Sequence, residues 1–93
     1  MISIGIRMLN NIDIITQEEE ETFFKTISSN IKRIRKEKAM SQLEVALSIG
    51  HRSSGFYANI ENYSHGKHFN LKHLLRLSKL FDVPIEEFFK PIK

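Results

Sequence analysis

Ninety-three residues, 41% of them hydrophobic and 27% charged, provide for one small domain with an ordinary core, which excludes a multidomain enzyme. With no cysteine, a disulfide scaffold, a thiolate zinc site, an iron–sulfur centre and a cysteine nucleophile are also excluded. The net charge of +3 is divided unevenly. Residues 1–22 set Arg7 against Asp13 and Glu18 to Glu21, a balance of −4. Residues 23–76 carry ten Lys and Arg against Glu37, Glu44 and Glu61, a balance of +7, and residues 77–93 are neutral. A stretch that basic is the footprint an anionic backbone selects, although a solvated lysine-rich surface has the same composition.

Taken in chain order, residues 1–16 read as a β arm. Ile2, Ile4, Ile6 and Met8 alternate with Ser3, Gly5 and Arg7, and Leu9-Asn10-Asn11-Ile12 supplies a tight turn before Ile12, Ile14 and Thr16 resume the alternation. The arm is expected as a hairpin or single strand that pairs two copies of the chain; a frayed terminus is the plainer alternative. Polar interruptions at Arg7, Asn10, Asn11 and Asp13, with no small-residue cleavage site, argue against a secretory signal. No apolar run approaches the roughly 20 residues of a membrane span. The chain is therefore expected in the cytoplasm, with no membrane partner.

Residues 17–93 read as one helical domain. Thr16 with Glu19 forms a capping-box pattern, and the acidic run suits the positive end of a helix dipole. Phe24, Ile27, Ile31 and Ile34 then mark the buried face of a long helix ending near Lys38. Ser41 with Glu44 opens a short helix holding Leu43, Val45, Ala46, Leu47 and Ile49, which Gly50 stops. A third helix runs from Ser53 or Ser54 to about Asn62 with Tyr57 and Ile60 inward. Asn70 caps a fourth, with Leu71, Leu74, Leu75, Leu77 and Leu80 directed to the core, and Pro84 opens a fifth containing Phe88 and Phe89. The expected fold is all-α, a five-helix bundle carrying the short N-terminal β arm.

Two short helices around a tight turn at Gly50, on a basic background, are the parts of a helix-turn-helix. The segments IKRIRKEKAMSQLEVALSIG, FYANIEN and LKHLLRLSKLFDVPIEEFF, from Ile31 to Phe89, resemble the Cro/repressor (Xre-type) helix-turn-helix family, which implies a lambda-repressor-like bundle. The resemblance implies that Arg35 and Glu61 form a structural ion pair locking the first helix to the recognition helix. It implies that Gln42 contacts phosphate and braces the recognition helix, and that Ala46 and Gly50 allow close helix packing. The interval from Gly50 to Glu61 is one residue longer than the family's usual spacing, which places an insertion in HRSSG.

Counted back from Glu61, the residues free to meet base edges are Ser53, Ser54, Gly55, Phe56 and Asn59. Asn59 suits adenine and Phe56 a thymine methyl, although Phe56 also fits a core position. Gln42, Arg52, Lys67 and Lys72 are the expected phosphate contacts. His65, His68 and His73 provide three imidazoles, but no carboxylate or thiolate completes a familiar metal spacing, so no metal or other cofactor is expected. No phosphate loop, paired buried carboxylates or serine–histidine arrangement marks an enzyme. The leading expectation is a sequence-specific regulator, a repressor, binding double-stranded DNA as a homodimer. The alternative is a protein–protein interaction module, or an antitoxin-like regulator, whose arm binds a protein partner.

Overall fold

The computed structural model describes residues 13–92. Four α-helices make up its frame: α1 (Gln17–Glu37), α2 (Gln42–Ser48), α3 (Ser54–Glu61) and α4 (Leu71–Phe81). Two 3₁₀ turns, Ser64–Gly66 and Ile85–Phe89, follow α3 and α4. Among the described residues there is no strand. Most of the expected β arm lies outside the described residues; its last four, Asp13 to Thr16, are not in a strand and lead directly into α1.

Local chemistry fixes three helix starts in the same way. Thr16 accepts the Glu19 amide at 3.0 Å, while the Glu19 carboxylate accepts the Thr16 amide at 2.8 Å. Ser41 and Glu44 repeat that exchange at 3.0 and 2.8 Å. Asn70 and His73 form an imidazole version, in which Asn70 Oδ1 accepts the His73 amide at 2.7 Å and His73 Nδ1 accepts the Asn70 amide at 3.1 Å. Each exchange satisfies two amides that a helix start or its cap would otherwise leave free. Helix α3 differs: its cap residue Ser53 is extended and makes no side-chain capping hydrogen bond.

The helix ends are equally regular. At the end of α1, Met40 N–H donates to Arg35 O at 3.1 Å and Ala39 N–H to Lys36 O at 3.0 Å. At the end of α2, His51 N–H donates to Ala46 O at 2.8 Å and Gly50 N–H to Leu47 O at 3.2 Å. Both are Schellman endings, which require a left-handed residue after the cap. Gly50 takes that position at φ +94°, whereas Ala39 takes it at φ +56° with a side chain in the way.

The core forms where these helices cross. Ile27, Ile31 and Ile34 of α1 meet Val45, Ala46 and Ile49 from α2, Tyr57 and Ile60 of α3, and Leu74, Leu77 and Phe81 of α4. Phe69 and Phe88 close it from the connecting segments. Two expectations are corrected. Leu71 and Leu75 are not directed inward but stand 80% and 56% exposed, because α4 buries the face that carries Leu74, Leu77 and Phe81. The fifth helix is a 3₁₀ turn rather than an α-helix, and Phe89 on it is exposed. Six residues between Pro84 and Pro91 are too few to propagate an α-helix, and the residue before each proline, Val83 in a bend and Lys90 extended, is turned away from helical geometry. Phe88 is still fully buried, and Asn30 of α1 ties this tail down by donating to Phe88 O at 3.0 Å and Lys90 O at 2.8 Å.

Candidate nucleic-acid interface

Helix α3 is held by its buried side and offers the other. Tyr57, Ile60 and Glu61 are buried, while Gly55, Phe56 and Asn59, spaced by one and three residues, fall on the opposite arc and are exposed. Ser53 is exposed beside them and Ser54 is half-buried. Phe56 is 50% exposed and not a core residue; its ring stands edge-on to His51, centroids 5.0 Å apart. The turn between the α2 cap Ile49 and the α3 cap Ser53 consists of Gly50, His51 and Arg52.

At its C-terminal end α3 is clamped by charge. Arg35 Nε lies 2.8 Å from Glu61 Oε2 and Arg35 Nη2 lies 3.0 Å from Glu61 Oε1, a two-point bridge with side chains 9% and 0% exposed. The third guanidinium nitrogen donates to Met40 O at 2.9 Å, and Gln42 donates to Glu61 Oε1 at 3.1 Å. One carboxylate thus joins α1, the start of α2 and the end of α3. Burial alone would raise the Glu61 pKa, but hydrogen bonds led by Arg35 hold it below the ordinary carboxylate value. The same contact raises the Arg35 pKa. Tyr57 buries its hydroxyl beside the pair without a hydrogen bond of regular geometry, and burial followed by the adjacent Glu61 carboxylate pushes its pKa up.

The approach to α3 is held by a neutral pair. His51, in the turn, and His73, on α4, face each other through their Nε2 atoms at 3.3 Å. Because His73 Nδ1 accepts the Asn70 amide, its proton sits on Nε2 and is donated to His51. That leaves the His51 proton on Nδ1, a buried atom without a partner. Burial lowers both imidazole pKa values; Arg76 adds to this for both, and His51 adds to it for His73. Arg76 completes the brace by donating to Ile49 O at 2.8 Å.

The remaining site candidates are dispersed. Gln42 is partly buried and commits an amide hydrogen to Glu61, whereas Arg52, Lys67 and Lys72 are exposed. His68 stacks on Phe24 at 3.8 Å, His65 is exposed in the 3₁₀ turn and His73 is paired with His51. Among the described residues no group of three or more metal-ligating side chains comes together. Sequence reasoning missed the His51–His73 pair and the tail anchor at Asn30. The Asn70-to-His73 spacing could have placed His73 beside its cap, three residues on where capping-box partners stand, but it does not point from His73 to His51.

A family model described as helix-turn-helix matches residues 31–88. The chain belongs to this family, the Cro/repressor (Xre-type) helix-turn-helix proteins, which are DNA-binding regulators. No curated protein and no solved structure matches the chain. Among the described residues no helix is long and apolar enough to cross a membrane.

Proposed function

We propose that this protein is a sequence-specific double-stranded DNA-binding transcriptional regulator of the cytoplasm, with α3 lying in the major groove. The observation that carries the reading is the two-sided character of α3. Its inner side is fixed by the Arg35–Glu61–Gln42 clamp, and its outer side presents Gly55, Phe56 and Asn59 to solvent. A rigid helix with a small, mixed polar and apolar outer arc is what base-edge reading needs. Ser53, Ser54, Gly55, Phe56 and Asn59 contact bases. Gln42, Arg52, Lys67 and Lys72 contact phosphates and set the register, Gln42 through the second hydrogen of its amide. Repression is the simplest outcome, since occupying an operator requires no further surface.

One unit of this size covers one half-site, so the protein acts as a homodimer on a two-fold symmetric site with half-sites about 34–36 Å apart. Selection of bound duplexes from a random pool tests the reading: a symmetric motif at that spacing supports it, and no enrichment overturns it. Binding to the selected duplex should weaken steeply with added salt, in proportion to the phosphates contacted. Lys67→Ala should weaken all sequences alike, while Asn59→Ala should relax preference at one position. Equal, sequence-independent losses from both would remove α3 from the major groove.

A further inference from the structure

Two apolar surfaces of the chain have no role in the DNA-binding reading. The first lies on the half of α1 that precedes the core. It encloses about 860 Å³ between α1 and the tail, lined by Ile15, Phe23, Phe24, Phe89 and Pro91. Phe23 and Phe89 are exposed, with ring centroids 6.1 Å apart. Glu18, Glu19 and Glu20 form its rim, and no Lys or Arg is among the described residues that line it. The second surface, of about 650 Å³, lies between α2 and α4 and is lined by Leu47, Leu75 and Leu80. Leu43 and Leu71, one helical turn before Leu47 and Leu75, extend it and are exposed as well. Its charges are Arg76 and Lys79, with no carboxylate among the described residues that line it. Apolar surface left open in this way on a small domain marks a place of contact.

We propose that these surfaces bind each other between two copies of the chain, the acidic groove of one copy seated on the basic leucine face of the other. Charge selects this pairing. Groove against groove would set Glu18, Glu19 and Glu20 against themselves, and face against face would do the same to Arg76 and Lys79. Groove against face brings unlike charges together around a shared apolar centre. Among the described residues neither Arg76 nor Lys79 has a carboxylate within salt-bridge distance, so both are open to the other copy. The contact also gives Leu71 and Leu75 a purpose. Helical periodicity directs them to the core, the structure leaves them outside it, and an aromatic groove removes them from water.

The two surfaces share no residue, so one chain can give the first and receive on the second at once. Exchanged in both directions between two chains, the contact has two-fold symmetry. It does not rest on the DNA reading, and its test contains no DNA, so the failure of either leaves the other standing.

The test is complementation between Phe23→Glu in the groove and Leu75→Glu on the face, both at exposed positions. Sedimentation equilibrium of the full chain at about 10–500 μM should show self-association that added salt weakens. Each variant keeps one of the two surfaces and should sediment as a monomer over the same range. An equimolar mixture should form a 1:1 pair, joined by the intact groove of the Leu75→Glu chain and the intact face of the Phe23→Glu chain. A second pair reads charge. Glu18→Lys with Glu20→Lys on one chain, and Lys79→Glu on the other, should each weaken self-association about tenfold and recover it on mixing. Where a thermal melt shows a glutamate variant unfolded, this charge pair decides. Self-association that survives either glutamate variant would give the contact to one surface alone and overturn the proposal. Folded variants that stay monomeric when mixed, or an unaltered chain monomeric at every concentration, would overturn it too.

Discussion

The two ends of α3 are secured by opposite kinds of chemistry. At its C-terminal end a charged pair, Arg35 and Glu61, is buried and bonded at two points. At its N-terminal approach two neutral imidazoles, His51 and His73, share one proton, and Ser53 leaves the helix start without a side-chain cap. The charged end is held by residues 26 apart in sequence and has little freedom to yield. The other end, from which base contacts are expected, is held by weaker links. On the proposed DNA-binding reading, a helix anchored behind and adjustable in front can hold its position while its leading residues adapt to the groove.

The largest expected effect comes from breaking the anchor. Arg35→Ala leaves the Glu61 carboxylate buried without its partner, and should destabilise the fold by about 3–5 kcal/mol in a denaturant titration. Arg35→Met with Glu61→Leu removes both charges and should recover most of that loss. If the double variant is as unstable as the single one, the pair's value lies in its geometry and not in avoiding an unpaired charge. Gly50→Ala comes next, at about 1–2 kcal/mol. It forces a side chain into the left-handed region, and the new Cβ meets Arg76 Nη1 at 3.1 Å, disturbing the brace on Ile49.

The approach should respond to pH where the anchor does not. His51 and His73 have folded pKa values below their ordinary value of about 6.5, so the unfolded chain takes up protons before the folded one does. Their contribution is complete above about pH 6.5 and is lost as the pH falls from there toward the folded values. Arg76 and the buried Tyr57 ring also face this pair; Arg76 opposes added positive charge, and Tyr57 stays neutral. Glu61, depressed as a carboxylate, keeps its contribution down into the acid range. Thermal stability should therefore decline as the pH falls below about 6.5, and His51→Gln with His73→Gln should flatten that decline. An unchanged slope in the double variant would assign it to other groups.

Much of this arrangement was legible in the sequence because it is local. The caps at Thr16 and Ser41 follow from spacings of three residues to Glu19 and Glu44, the cap at Asn70 from its place before an apolar helical pattern, and the buried face of α1 from spacings of three and four. Two kinds of feature were not legible. Which leucines of α4 meet the core depends on the angle at which the helix is laid down, and periodicity alone admitted Leu71 and Leu75. The final turn was misread because Pro84 marks a helix start equally well for a 3₁₀ turn, and the constraint from Pro91 lies beyond it. At the candidate site, resemblance supplied the pairing of Arg35 with Glu61, whereas the meeting of His51 with His73 joins a turn to a distant helix. No local pattern encodes that meeting.

The smallest effect separates stability from reading most sharply. Ser41→Ala removes a side-chain cap from α2 and should cost about 1 kcal/mol, a fall in Tm of roughly 4–8 °C for a domain of this size. Ser53→Ala sits at the equivalent position of α3 but removes no capping bond, so its effect on stability should stay within about 0.5 kcal/mol. If Ser53 is kept free to meet DNA, the same variant should weaken binding to the selected duplex while melting with the unaltered protein. A Tm loss matching that of Ser41→Ala would mean that Ser53 caps α3 in solution. Unchanged affinity would remove Ser53 from the contact surface. The uncapped start of α3 thus has a measurable meaning: a helix end whose hydroxyl serves recognition should be sensitive in binding and indifferent in folding.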